Sequence, residues 1–168
     1  MNLQEFLGRS AVEFEVLEHP ATFDASHLAE SIHVSGYHVA KTVLLRVDND
    51  AYVIAVLPAT HHVRLEDARA ALSARQVELA NEEEIENRFL DCEVGALPPF
   101  GSCYDMETLV DKSLVGDENI IFEGNTHKEA IRMRYDDFVK LEEPLVGSFA
   151  VANFPTASGS TPDSATAS

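Results

Sequence analysis

The spacing of apolar and polar positions changes period along the chain, and each change marks an element. Glu13 to Leu17 (EFEVL) alternates at period two, as a half-buried strand does, and this strand is expected to open the fold. Asp24 can cap a short helix through Ile32, with Leu28, Ala29 and Ile32 at helical spacing, before Ser35-Gly36 breaks it. Thr42–Val47 and Tyr52–Leu57 are β-rich runs on either side of Asp48-Asn49-Asp50, whose side chains favour turn geometry, so the pair predicts a hairpin. Leu65 to Ala74 returns to apolar residues every three or four, and Asn81 with Glu84 forms a capping box for a helix reaching about Phe89. Gln76–Leu79, Glu107–Val110, Ile120–Glu123 and Ala130–Met133 read as short strands. Tyr135 to Leu141 resumes helical spacing until Glu142-Glu143-Pro144 stops it. Helices and strands that interleave in this way predict an α/β or α+β domain: a mixed, curled β-sheet or barrel flanked by helices.

The length, 168 residues, suits one domain. Residues 1–147 are expected to form it, because from Ser148 onward Ser, Thr, Ala, Pro and Gly dominate, and such sequence buries too little apolar surface to offset its ordering entropy. Residues 148–168 therefore read as a flexible tail. Charge changes the picture more. Against 12 Lys and Arg stand 29 Asp and Glu, a formal net charge of −17, and the tail holds only one of these charges, Asp163. An acidic body is poorly suited to gripping a phosphate backbone unaided, which argues against a DNA-binding role and confines any RNA contact to a local patch. Cys92 and Cys103 form no CxxC pair, so neither a disulfide framework nor a zinc ribbon is indicated and a reducing compartment suits them. Met1 to Ser10 lacks the pattern of a signal peptide, and no apolar run reaches the ~18 residues of a spanning helix. A cytoplasmic protein without membrane contact is expected.

The common catalytic signatures GxxxxGKS/T, GxGxxG, GxSxG and HExxH are missing. His61 and His62 are adjacent, facing opposite sides of a strand or lying about 100° apart on a helix, and make a poor chelate. Lysine usage is more telling. Only Lys41, Lys112, Lys128 and Lys140 occur, and Lys41 stands between a turn region (Ser35-Gly36-Tyr37) and the apolar run VLL. A cation at the mouth of a strand can bind a phosphate or a polarised carbonyl as a point charge, or can simply snorkel at a sheet edge. In Gly95-Ala96-Leu97-Pro98-Pro99-Phe100-Gly101 two prolines fix φ and two glycines open conformations closed to other residues. Such a loop is a stiff structural turn, or an active-site wall that offers the N–H groups of Gly95 to Leu97 to an ester oxygen or ribose. Thr126-His127 lies in a third turn region, and Tyr37, Asp105 and Asp111 read either as polar lining or as surface.

Taken in order, HPATFDASHLAESIHVSGYHVAKTVLL, GALPPFG, TLVDKSL and EGNTHKEAIRMRYDDF resemble the YbaK/ProX family of aminoacyl-tRNA deacylases, related to the editing domain of prolyl-tRNA synthetase, over roughly Val12 to Leu141. The resemblance implies a mixed β-barrel with flanking helices and no metal or organic cofactor. The family's invariant lysine falls on Lys41 and the ends of its GxxxP loop on Gly95 and Pro99, which would make these the catalytic positions. Ala96, Leu97, Pro98, His127, Tyr37 and Arg46 would bind the substrate, with Arg46, Arg64, Lys128, Arg132 and Arg134 able to supply a local basic patch. The implied reaction is hydrolysis, in trans, of the ester of a mischarged tRNA at its 3′-terminal adenosine, with an aminoacyl-tRNA synthetase as a possible second partner. No side-chain nucleophile is needed for it. Relatives often carry glycine just before the TH turn, where this chain has Asn125, a residue that tolerates left-handed geometry. Two readings from other classes stand beside this one. A non-catalytic module of the same fold would recognise a nucleotide, an aminoacylated ligand or a protein partner, and a metal hydrolase would use His61, His62 and His127.

Overall fold

In the computed structural model, which describes residues 2–19 and 39–153, a helix rather than the expected strand comes first. Asn2 caps α1 (Leu3–Arg9) by accepting the Glu5 N–H at 3.0 Å, and Leu3 and Leu7, one turn apart, are fully buried. Two core positions are too few to stand out as a period. The predicted strand follows as β1 (Phe14–Glu18). The expected helix from Asp24 to Ile32, Tyr37 and residues 154–168 lie outside the described residues.

The hairpin is present as β2 (Ala40–Val47) and β3 (Ala51–Pro58) in antiparallel register. At its turn Asp48 and Asn49 both take positive φ, 51° and 83°, and the Asp48 carboxylate accepts the N–H groups of Arg75 and Gln76. Both faces of these strands are covered. Leu44, Ile54 and Val56 enter a core with Leu3, Leu7, Phe100, Phe122 and Phe138, while Leu45, Val53, Ala55 and Leu57 enter a second core with Ala68 and Phe149. Burial on both sides explains why these strands read as near-continuous apolar runs instead of alternating.

After β4 (His61–Val63) come α2 (Leu65–Leu72), β5 (Val77–Leu79) and α3 (Glu82–Arg88), the last with the predicted capping box formed in both directions. The remaining elements are β6 (Glu107–Asp111), β7 (Asn119–Glu123), β8 (Glu129–Arg134), α4 (Tyr135–Glu142), β9 (Leu145–Gly147) and β10 (Ala150–Ala152). The main sheet is mixed, in the order β5-β2-β3-β6-β9, with β6 parallel to both its neighbours. A second, antiparallel sheet runs β1-β8-β7, and β10 pairs with β4. One parallel bridge, Val39 to Ile121, joins the start of β2 to β7. The expected mixed α+β architecture with flanking helices is therefore present, with no closed barrel among the described residues.

The expectation of a loose tail from Ser148 is corrected at its beginning. Phe149 is 1% exposed in the second core, and both its N–H and that of Ala150 donate to Asp111 Oδ1 at 2.8 Å. A long-range acceptor and an aromatic anchor outweigh the local composition.

Close packing also decides Gly101, which begins a short 3-10 turn, Gly101–Tyr104. A Cβ there would stand 2.6 Å from Thr108 Oγ1 and 2.8 Å from the Met106 carbonyl oxygen. Gly101→Ala is expected to destabilise the chain by about 1–3 kcal/mol, as overpacking does, measurable as a lower urea midpoint with an unchanged slope. An unaltered midpoint would show that the β6 approach can open without cost.

Candidate functional site

Lys41 is the second residue of β2 and is half-buried. Its cross-strand partner is Leu57, one step beyond the Val56–Val110 pair of β3 and β6, so Lys41, Leu57 and Asp111 form a row across the sheet. Burial lowers the His61 ring below its ordinary pKa, with the positive charge of Lys41 adding to that shift and Asp111 opposing it, which places His61 near the same row. Asp111 itself is 4% exposed. Burial works against its charge, but four hydrogen bonds, from Ser113 N and Oγ and from the N–H groups of Phe149 and Ala150, outweigh it and hold its pKa below the ordinary value. The Val39–Ile121 bridge is parallel, so Val39 to Lys41 and Ile121 to Glu123 run in the same direction from it. Lys41 thus lies at the end of the molecule where β7 turns into β8.

The glycine–proline loop is tied to that turn. Glu93 N–H donates to the Asn125 carbonyl at 2.9 Å, and the His127 N–H returns to Glu93 Oε1 at 2.8 Å. His127 Nε2 lies 2.6 Å from the Val94 carbonyl oxygen, and Nδ1 lies 3.1 Å from Glu123 Oε2. Asn125 takes φ 72°, the left-handed conformation expected of the residue that replaces a glycine. Its side chain joins three segments, accepting Leu3 N–H at 2.9 Å and donating to the Asp91 carbonyl and Cys92 Sγ. Gly95 is exposed at φ 90°, whereas Ala96, Leu97, Pro98 and Pro99 are buried, the loop being anchored through Leu97 and Phe100 in the main core. One expectation is narrowed. The Ala96 N–H is committed to the Glu93 carbonyl at 2.9 Å, so only the Gly95 and Leu97 N–H groups have no acceptor among the described residues.

The structure thus brings Lys41, His127 and the loop from Gly95 to Pro99 to one end. It does not bring Arg46 there. Five residues of strand, roughly 16 Å, separate Arg46 from Lys41, and the odd count turns it to the opposite face. Its guanidinium is taken by Glu78 at 2.6 Å and Glu84 at 2.7 Å. The Tyr52 hydroxyl, the Asn81 N–H and Arg46 together hold the Glu84 carboxyl down at about 2, and Arg88 lies 4.0 Å over the Tyr52 ring. Arg46 is a structural tie at the hairpin's far end. Arg64 and Arg132 are likewise paired, with Asp67 and Glu15, and exposed Arg134 stands at the far end of β8 opposite Asn119, leaving exposed Lys128 in the β7–β8 turn as the patch cation beside the loop. His61 and His62 bond Thr60 and Asn153, and among the described residues they form no metal-holding group with His127. Asp105 takes φ 58° after the 3-10 turn, a conformational role. Glu93, Glu123 and the Val94 carbonyl were not singled out by sequence. The available signal was an acidic residue four before His127 and another at the entrance to the loop.

A family profile described as the aminoacyl-tRNA editing domain matches residues 19–141. Proline–tRNA ligases from Bacillus cytotoxicus and Bacillus cereus are 30% and 29% identical over 103 residues, which is 60% of this chain but 18% of each ligase. Among solved structures, a hypothetical protein superposes with TM-score 0.81 at 16% identity, covering 89% of this chain and 99% of its own. A proposed trans-editing enzyme for prolyl tRNA synthetase superposes with TM-score 0.72 at 18% identity over 83% of this chain and 87% of its own, a likeness of fold. With its profile spanning nearly three quarters of the chain, from just after β1 into the last turn of α4, the chain belongs to the aminoacyl-tRNA editing domain family.

Proposed function

We propose that this chain is a trans-acting aminoacyl-tRNA deacylase that hydrolyses the ester of a mischarged tRNA without a metal or organic cofactor, acting in the cytoplasm. What supports the proposal is that, in an editing-family fold, β2 carries Lys41 toward the same end as a loop whose Gly95 and Leu97 N–H groups are uncommitted among the described residues. In the proposed reaction Lys41 holds the 3′-terminal nucleotide by charge and the loop N–H groups fix the aminoacyl moiety. The ribose 2′-hydroxyl directs a water onto the carbonyl carbon. The water oxygen bonds to that carbon, the ester C–O bond breaks, and a proton passes to the departing 3′-oxygen. Lys128 is placed to meet the adjoining backbone, and a synthetase partner would supply the remaining grip that a net charge of −17 withholds.

Incubating the purified chain with Cys-, Ala- and Ser-charged tRNAs tests this. At least one ester is expected to disappear faster than its spontaneous rate, with no response to a chelator. Unchanged half-lives for every substrate would end the proposal. The acidity favours one other reading, a binding module of the same fold that recognises an aminoacylated ligand or a protein partner without cleaving. Ligand binding with no hydrolysis would establish that reading instead.

A further inference from the structure

We infer that His127 is a positioning residue that, as an imidazolium donating from both ring nitrogens, clamps the Val94 carbonyl against the β7–β8 turn and so sets the direction of the Gly95 N–H. Its activity arm rests on the deacylase reading, while the clamp itself does not.

A carbonyl oxygen carries no proton, so Nε2, 2.6 Å from Val94 O, must be the donor in that bond. A neutral ring would then turn the Nδ1 lone pair toward the buried Glu123 carboxylate 3.1 Å away. The doubly protonated ring satisfies both acceptors. Burial of the ring works against the charge, but the Val94 carbonyl and the carboxylates of Glu123 and Glu93 raise the His127 pKa above its ordinary value. Among the described residues, the charged groups that face the ring are Glu123 from β7 and Glu93 from the loop. Lys128, next in the chain, is exposed, Asp91 accepts from the Tyr104 hydroxyl, and Glu129 accepts from Gln4.

In a trans peptide the C=O and N–H point in opposite directions, and the chain holds no cis bond among the described residues. Drawing Val94 O to the ring therefore directs the Gly95 N–H away from it. A glycine at φ 90° does not fix that plane by itself, so the hold must come from outside the loop. The sign follows from the raised value: the clamp is closed below the ordinary imidazole pKa and opens as pH rises through the folded one.

The test follows the ring nitrogens and the Gly95 amide of the full ¹⁵N-labelled chain by NMR across roughly pH 5–9, a range that brackets an ordinary histidine. Both signals are expected to move with one midpoint above the ordinary value, and in His127→Gln the Gly95 amide should no longer titrate. On the aminoacyl-tRNA that the wild type hydrolyses, after subtracting spontaneous hydrolysis, wild-type kcat should fall on the alkaline side with that same midpoint. His127→Ala should lower kcat by about tenfold to a hundredfold with little change in KM, the signature of a misdirected carbonyl donor. His127→Gln, which keeps one donor, should recover part of the rate without the alkaline limb. A ring with one proton at about pH 6, or a Gly95 amide indifferent to the ring's titration, would overturn the inference. If the wild-type chain hydrolyses nothing, the deacylase reading fails and the NMR titration alone decides the clamp.

Discussion

Lys41→Ala is expected to slow deacylation by about tenfold to a hundredfold, because a hydrogen bond to a charged group is worth roughly 1.5–3 kcal/mol and each 1.4 kcal/mol is a factor of ten. Lys41→Met sharpens the test. It keeps the apolar stem that a half-buried lysine lays along the sheet and removes only the charge. The β2–β3 pairing is made by backbone groups, so the circular dichroism of both variants should stay near wild type. The loss should appear chiefly at low substrate concentration if Lys41 holds the 3′-terminal nucleotide, and in kcat if it acts on the developing oxyanion. Lys41→Arg keeps the charge but replaces a compact point donor with a planar fork, so partial rescue is expected. Wild-type rates in Lys41→Met would remove the cation from the reaction and leave the loop N–H groups as its whole apparatus.

The parts of the fold that could be read from the chain are those fixed by neighbours in sequence. The hairpin turn at Asp48-Asn49 and the capping box of Asn81 and Glu84 are local hydrogen-bonding devices, and both appear where the residue types demand them. Strands β4, β9 and β10, each three residues long, carry no period of their own and exist because a partner strand is present. Helix α1 was hidden for a similar reason, its two core leucines gaining meaning only beside Phe122 and Ile131.

The candidate site divides along the same line. Lys41 and the loop from Gly95 to Pro99 were visible because lysine is scarce in this chain and a paired-proline loop is an unusual composition. What holds the loop was not, since His127 reaches Val94 across 33 positions and Asn125 reaches Leu3 across 122. Arg46 misled for the converse reason. Its charge was evident, but the carboxylates that consume it arrive on β5 and α3, 32 and 38 positions away.

Asp111 shows how much one such distant contact decides, and its removal should be the largest stability change outside the apolar core. In Asp111→Ala the buried Phe149 N–H and its neighbour at Ala150 lose their acceptor, while Ser113, which is exposed, can turn to water. A stranded donor costs roughly 1–3 kcal/mol, so the buried Phe149 N–H at about 2 and the half-buried Ala150 N–H at about 1 give about 3 kcal/mol, or a Tm lower by about 6–12 °C for a chain of this size. The damage should begin locally, with amide exchange accelerated at Phe149 and through β10 before β2 or β3 responds. Asp111→Asn restores one acceptor oxygen and should recover part of the loss. The pH dependence separates charge from shape. Because the folded Asp111 carboxyl titrates below its ordinary value, its stabilisation is present above that value and is lost as pH falls through the folded one. Glu142, pushed up by burial, works the other way, contributing most at low pH and less as pH rises through its folded value. The difference between wild type and Asp111→Asn cancels the Glu142 contribution and should shrink toward acid pH. A difference that stays constant down to about pH 2, or a Tm in Asp111→Ala within about 2 °C of wild type, would mean that Phe149 is held by packing alone.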